Sequence, residues 1–470
     1  MVYQIVIAGA GIIGNSIAYY LAKNYAAGEV DFSITLIDPV GICPAASSKA
    51  GGFLAKKWRD KMPEEQLTKV GFDLHEELAR LDFVEGYSID PTNNLTMNTV
   101  TDYRHLRVSA AIVAGGSIFD NGDTVSHTSK KIQGAQTLEW VDDSVLLGSQ
   151  SLGKEKHIAQ VHPKKLCERM WKFTSSSKEN NITAAQLRIG TVVEAIVERE
   201  GRSKTPKITG VRLDDGTIVE ADVVVAALGP WSEEIRHWFA PQEDMILEAM
   251  ATIPPIHSTK SHSMLVQTPQ VLKEAIFFSS NDKTLNDLEV YPRPDGDSYI
   301  TGKDSTKESM TERPGQEAVE PELIEALLES MRRMSPEVLG APNIPAPHTT
   351  QACYWADVVD GTPIIGPLPN VDGFFIATGH SVWGILQGPA TGKAMAELLM
   401  EGKARSVDLS PYAIGYSRLS NLLVTVLNLA ENQLPDYIDL YKAMYGVQQD
   451  VDDDESETTT KGKRSSAQEL

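Results

Sequence analysis

Three glycines carry the first chemistry legible in this chain. Gly9, Gly11 and Gly14 follow the apolar run Ile5-Val6-Ile7-Ala8, a GxGxxG spacing that begins almost at the first residue. Gly9 permits a tight turn, Gly11 lets the backbone approach a pyrophosphate, and Gly14 lets a helix opening at Ile12 and Ile13 lie close to the sheet. Amides at the start of such a helix favour negative charge, so a dinucleotide is the implied ligand. Asp38 ends the next apolar run, Phe32-Ser33-Ile34-Thr35-Leu36-Ile37, where an acid accepts hydrogen bonds from an adenosine ribose. Its charge would repel a 2′-phosphate, which disfavours an NADP-type cofactor. FAD and NAD both remain open on these residues.

Later segments read as returns to the same sheet. The small-residue stretch 41–52 places Ser47 or Ser48 to cap a following helix and ends in the pair Gly51-Gly52, a second phosphate or flavin contact. Lys56, Lys57, Trp58 and Arg59 follow directly. An apolar strand at 186–189 precedes a bend that would set Val193 beside an adenine, and Asp215-Gly216 is a hairpin signal. The run Val223-Val224-Val225-Ala226 suits a strand buried on both faces, leading into Ala227, Gly229, Trp231 and Ser232 at the ligand crevice. Finally, Phe374-Phe375-Ile376-Ala377-Thr378 runs into Gly379 and His380, then Gly384 and Ile385, and leads through Pro389-Ala390-Thr391-Gly392-Lys393 into a helix read from Ala394 to Met400. The amides opening that helix would meet negative charge on a flavin's N1/O2 edge. His380 and Trp383 read equally well as packing residues beside the ring.

Strands alternating with helices give an α/β chain, and 470 residues with 41% hydrophobic content suffice for two domains. The excess of 64 acidic over 43 basic side chains gives a net charge of −21, a field that repels nucleic acid and anionic membranes. No apolar run approaches the length of a bilayer span. The first strand begins by about Tyr3, so no signal or transit peptide is expected, and the peroxisomal Ser-Lys-Leu ending is absent. Cys43, Cys167 and Cys353 are too few and scattered for a disulfide framework or a metal cluster, which fits a reducing, cytoplasmic location. Residues 449–470, acidic and then Thr- and Lys-rich, read as a disordered tail or a protein-partner segment.

These pieces, in this order, resemble the FAD-dependent oxidoreductases of the D-amino-acid oxidase, glycine oxidase and sarcosine oxidase family, in a fungal-type form. The likeness runs from about residue 3 to about 420 and rests on the opening GxGxxG, Ser47 to Gly52, Ala226 to Ser232, and Gly379-His380 through Lys393. It implies a Rossmann-like, glutathione-reductase-like FAD domain assembled from 1–95, 150–245 and 350–425. An interleaved mixed-sheet α+β substrate domain from 96–149 and 246–349 would lie over the flavin. Short strands read at 263–267, 289–294 and 297–302 agree with that outline.

The resemblance also implies a role for Cys353. It stands seven residues before Asp360, the spacing at which sarcosine oxidases and glycated-amino-acid oxidases attach the flavin 8α-methyl covalently. Two residues on, Trp355 occupies the place of the arginine that forks onto a free amino acid's carboxylate. The sarcosine oxidase Lys-x-Gly is Ile300-Thr301-Gly302, leaving Lys260 or Lys303 as spatial substitutes toward oxygen. The expectation is oxidation of a C–N bond in a secondary amine or modified amino acid, with Trp58 and Trp355 as pocket walls and no catalytic acid or base assigned. A flavoprotein scaffold with structural FAD is the alternative.

Overall fold

The computed structural model describes residues 2–415 apart from 26–30, 85–103, 106, 114–137, 139, 142–145, 177–181, 200–204, 240–243, 269–271, 273, 281–286, 294–295, 306–309 and 341–345. The stretch 416–470, with the tail expected at 449–470, lies outside the described residues. Two large sheets organise the rest.

The first sheet has six strands in the order Ile364–Pro367, Phe374–Thr378, Val223–Ala226, Tyr3–Ala8, Phe32–Asp38, Ile182–Ile189. All neighbours run parallel except the edge strand Ile364–Pro367. Both faces are covered, which explains the unbroken apolar runs. Ile5, Ile7, Ile34, Leu36, Val223 and Val225 point into one core with the helices Ile12–Tyr25 and Gly384–Glu401. Val6, Ala8, Val224 and Ala226 point the other way, into a core shared with the small sheet of Val192–Glu198, Lys207–Leu213 and Ile218–Glu220. The Asp215-Gly216 hairpin forms as read, with Gly216 at φ +82°. It belongs to this covering sheet rather than to the main one.

Parallel pairing has a positional consequence. The last residues of five strands, Ala8, Asp38, Ile189, Ala226 and Thr378, all reach the same edge of the sheet. Ligands of open α/β sheets bind at this carboxyl edge.

The second sheet has seven strands in the order Thr349–Val358, Ile256–Gln267, Asp297–Ser305, Leu288–Pro292, Glu274–Ser280, Arg107–Val113, Leu146–Ser151. Only the pairing of Glu274–Ser280 with Arg107–Val113 is parallel, so the sheet is mixed. Its strands come from segments on either side of the strands that return to the first sheet, and this is the interleaving. Helix Pro321–Met334 covers one face, packing Ile324, Leu327 and Met331 onto Met264, Val266, Val290 and Ile300. The other face meets Phe53, Trp58 and Ile158 of the nucleotide-binding region. Among the described residues no helix is long and apolar enough to cross a membrane, and no group of His, Cys, Asp or Glu could hold a metal ion.

Candidate functional site

The glycine turn divides its labour unequally. Gly9 sits at φ +103°, and a Cβ there would fall 2.2 Å from the Ala227 carbonyl oxygen, where the neighbouring strand's backbone crosses. At Gly14 a Cβ would fall 1.9 Å from the Gly9 oxygen, so the helix can approach its own turn only without a side chain. Gly11 differs. A Cβ there would meet only Ser47 Oγ, at 3.1 Å, so its missing side chain leaves a cradle beside the helix start.

The donors of the cradle are set by side chains the motif does not mention. Asn15 N donates to Gly11 O, so Ile12, Ile13 and Gly14 begin the helix with no carbonyl a turn behind them. Buried Asn15 Nδ2 donates to the carbonyls of Ala10 (2.5 Å) and Gly11 (3.1 Å), holding these acceptors on the protein side. Ser47 Oγ accepts from Ile12 N at 3.0 Å. This corrects the capping expectation: Ser47 and Ser48 lie inside the short helix Ala46–Lys49, which has no side-chain cap, and Ser48 Oγ donates to Ala45 O. Ser47 instead joins the loop 41–52 to the helix Ile12–Tyr25.

Asp38 binds more backbone than the sequence suggested. Its carboxylate accepts from Ala10 N (3.0 Å), Val40 N (3.0 Å) and Gly41 N (3.1 Å). Burial pushes the carboxyl above its ordinary range, and the three amides pull against that shift. A carboxylate offers about four acceptor directions, so one is left for a ribose hydroxyl. Around it, Val40, Ile189 and Val193 are large apolar side chains that remain exposed. They stand at the carboxyl ends of two neighbouring strands and the start of the next, where an adenine face would cover them. Val40 and Ile189 carry no sequence signal, because exposure is a property of the fold. The open cradle, the amides of Ile13 and Gly14 and this apolar rim together fit a dinucleotide.

On the far side, Thr378 Oγ1 and Ser232 Oγ are 2.6 Å apart, and both reach Gly229 O, tying the end of one strand to the turn after its neighbour. Gly229 and Gly379 have positive φ, and a Cβ on Gly379 would strike Val358. Ala227 N donates to Ala8 O. Trp231 turns toward the second sheet, its Nε1 donating to Thr311 O at 2.7 Å and its ring lying edge-on to Tyr354. His380 is buried, with Nε2 2.9 Å from Thr391 Oγ1, and burial lowers its pKa to about 3. It is therefore a neutral packing residue at the start of the closing helix. Gly384 opens that helix, earlier than the Ala394 start read from the sequence and with Pro389 inside it, and the Ile385 carbonyl accepts from His75 Nε2 at 2.8 Å.

Where the two sheets meet, aromatic rings gather. Trp58 packs on Phe53 (5.1 Å between centroids), Phe277 (5.2 Å) and Trp383 (6.4 Å), and Phe53 stacks on Tyr291 (5.3 Å), which stacks on Tyr299 (5.8 Å). Phe53, Trp58, Phe277 and Trp383 are half-buried, so the cluster keeps open ring surface. Gly51 lies directly under Tyr291 and Tyr299, whose rings occupy the space of a Cβ. At Gly52, φ +80°, a Cβ would fall 1.9 Å from Val161 O. Arg59 stands over Trp383 at 5.7 Å and pairs with buried Glu64 at 2.9 Å. Of these residues only Trp58 was singled out as a pocket wall from sequence.

Cys353 is half-buried on the strand Thr349–Val358, opposite Ser261. It shares a face with Trp355 and Asp357, and the Trp355 indole donates to Asp357 Oδ2 at 2.7 Å. Tyr299 lies close by, its phenol pushed up by burial and then by the nearby thiol. Lys260 occupies the opposite face of the sheet, beneath helix Pro321–Met334, bound to Glu320 at 3.1 Å. It is thus turned away from Cys353 and from the aromatic cluster. The Lys303 side chain lies outside the described residues.

Comparison with known proteins agrees with this geometry. A protein of Schizosaccharomyces pombe named as an oxidoreductase is 26% identical over 420 residues, covering 86% of this chain and 96% of its own. A similarly named Saccharomyces cerevisiae protein is 24% identical, covering 87% and 93%. Glycine oxidase from Geobacillus kaustophilus shares the fold at TM-score 0.62 with 18% identity, over 88% of this chain and 99% of that one. Iminodiacetate oxidase from Chelativorans sp. BNC1 does so at TM-score 0.60 with 17% identity, over 87% and 98%. The family model described as FAD dependent oxidoreductase matches residues 4–398, which span the glycine cradle, the strand carrying Cys353 and the closing helix; the chain belongs to that family.

Proposed function

We propose that this enzyme oxidises a C–N bond in a secondary amine or modified amino acid. The observation that carries the reading is the half-open aromatic cluster between the sheets, beside a strand that has Trp355 where an arginine would fork onto a carboxylate. FAD bound in the cradle would supply the two-electron acceptor for a hydride from the substrate α-carbon. The chain's own part is to hold the cofactor and orient the amine. The cradle at Gly11, with the amide of Ile13, would grip the diphosphate, Ser47 having taken the amide of Ile12; Asp38, Val40, Ile189 and Val193 would hold the adenosine; Gly51 lets the loop pass close beneath the second sheet and Gly52 lets it pass Val161. Trp58, Phe53, Phe277 and Trp383 exclude water and present ring faces to an apolar or cationic N-substituent. Orientation of this kind supplies much of the rate without an acid–base pair. Structural neighbours named glycine oxidase, iminodiacetate oxidase and L-proline dehydrogenase support an amine or amino-acid substrate.

The same reading assigns 1–95, 150–245 and 350–425 to the FAD domain and 96–149 and 246–349 to the substrate domain, in a cytoplasmic enzyme of fungal type, although the strand Thr349–Val358 pairs into the second sheet. It also includes a thioether from Cys353 to the flavin. Acid precipitation tests that bond: colour in the pellet supports it, and colour in the supernatant overturns it. For the pocket, Trp58→Ala should weaken the reductive half-reaction with bulky N-substituted amines about tenfold, the loss of about 1.4 kcal/mol of contact. Equal losses for small and bulky amines would contradict the assignment of Trp58.

A further inference from the structure

One segment of the second-sheet region crosses to the nucleotide-binding region at three points, and none of them belongs to a recognised motif. Thr311 O accepts from Trp231 Nε1 at 2.7 Å. Arg313 Nη2 donates to Asp214 Oδ2 at 2.7 Å. Glu317 Oε2 accepts from Lys49 Nζ at 2.8 Å and from Gly315 N at 2.9 Å. The three partners sit on three different turns around the carboxyl edge of the six-stranded sheet. Lys49 belongs to the loop whose Ser47 caps the diphosphate helix, and also donates to Ala352 O, next to Cys353. Trp231 follows the turn at Gly229. Asp214 accepts from Thr191 N, two residues before Val193 at the adenine rim. Residues 310–317 therefore touch three segments that border the dinucleotide crevice, with Arg313, in the middle, nearest the adenine rim.

A second observation concerns the anchor. The Glu317 side chain is fully buried, yet its Oε1 has no hydrogen-bond partner. A buried carboxylate oxygen without a donor is costly, and the polyhydroxyl chain and ribose of FAD are donors of the kind it lacks.

We infer that residues 310–317 are a strap that completes the FAD site, anchored by Lys49 and Glu317 and fastened by the Arg313–Asp214 pair. The inference rests on FAD binding to this chain and extends the site to a segment outside the family's glycine motifs. The anchor is secluded, with Lys49 19% and Glu317 0% exposed, whereas the fastening is open to solvent at 50% and 29%. The exposed Arg313–Asp214 pair is thus the weaker fastening, and it is the one that salt screens.

The test is FAD titration into FAD-free protein, followed by quenching of flavin fluorescence, with Cys353→Ala throughout so that no covalent bond forms. Arg313→Ala and Asp214→Asn should each raise the FAD dissociation constant about two- to fivefold, the scale of an exposed pair. The double variant should be no worse than either single one, and the melting temperature of FAD-free protein should not move. Amide exchange across 310–317 should slow when FAD is added. Unchanged FAD affinity in both variants overturns the strap alone, as does an equal loss of stability without FAD. If the unsubstituted strap takes up no FAD, the cofactor reading falls and the strap falls with it.

Discussion

One added methyl group separates the two duties of the glycine turn. At Gly11 it would touch only a serine hydroxyl, so Gly11→Ala should leave FAD-free stability within about 0.5 kcal/mol and weaken FAD binding about tenfold or more. At Gly9 it would meet backbone at positive φ, so Gly9→Ala should cost about 3 kcal/mol or more with or without FAD. Thermal melts of both variants, with and without the cofactor, check the pair. Two buried histidines make a pH prediction. Burial lowers His75 to about 4 and His380 to about 3, against 6.5 in the unfolded chain. Both are neutral in the fold, so unfolding takes up protons below about pH 6.5. Stability is full above that pH and falls as pH drops toward 4, by up to about 1.4 kcal/mol per pH unit for each group. Melting temperature measured from pH 7 to pH 5 should decline, and His75→Gln should flatten the slope. At this scale the sequence was legible where a residue type is dictated by backbone, as at Gly9 and Gly14. It was silent on Asn15, Val40 and Ile189, whose roles depend on what folding leaves paired or exposed.

Among the elements, the closing helix Gly384–Glu401 shows how a motif can be found for one reason and needed for another. Pro389-Ala390-Thr391-Gly392-Lys393 stands out in the sequence as part of the block that carries the family resemblance, and the structure gives it a packing task. A Cβ at Gly388 would fall 2.7 Å from Ile12 Cγ1, and one at Gly392 2.4 Å from the backbone of Ser16, so the two helices cross at closest approach there. Through this contact the closing helix sets the position of the helix that carries the cradle. Gly392→Ala should therefore destabilise the protein by about 1–3 kcal/mol and loosen FAD with it, while Lys393→Ala stays within about 0.5 kcal/mol. Denaturant unfolding of both variants decides. Parallel strands were legible from their unbroken apolar runs, because both faces are buried. The seven-stranded sheet was seen only in pieces: the strand Ile256–Gln267 has exposed His257 near its start and carries buried Lys260 and His262, which hides its alternation. The strap 310–317 was invisible, since its Lys49 and Arg313 contacts join residues 268 and 99 positions apart.

For the whole molecule, the interleaved chain places a cofactor cradle on the edge of one sheet and an aromatic wall between that sheet and another. Gly51, Phe53 and Trp58 lie within a few residues of each other, so the segment that passes the cradle also builds the wall. In the function proposed above, the pocket holds its substrate by ring faces rather than by a fork of cationic hydrogen bonds. The most direct test mixes the purified FAD-loaded protein, without oxygen, with a panel of N-substituted and unsubstituted amino acids while the flavin's visible absorption is followed. Bleaching by N-substituted amines, faster than by their unsubstituted counterparts and accompanied by an aldehyde or keto acid, is the predicted result. A stable yellow spectrum against every amine would contradict C–N oxidation, even with FAD firmly bound.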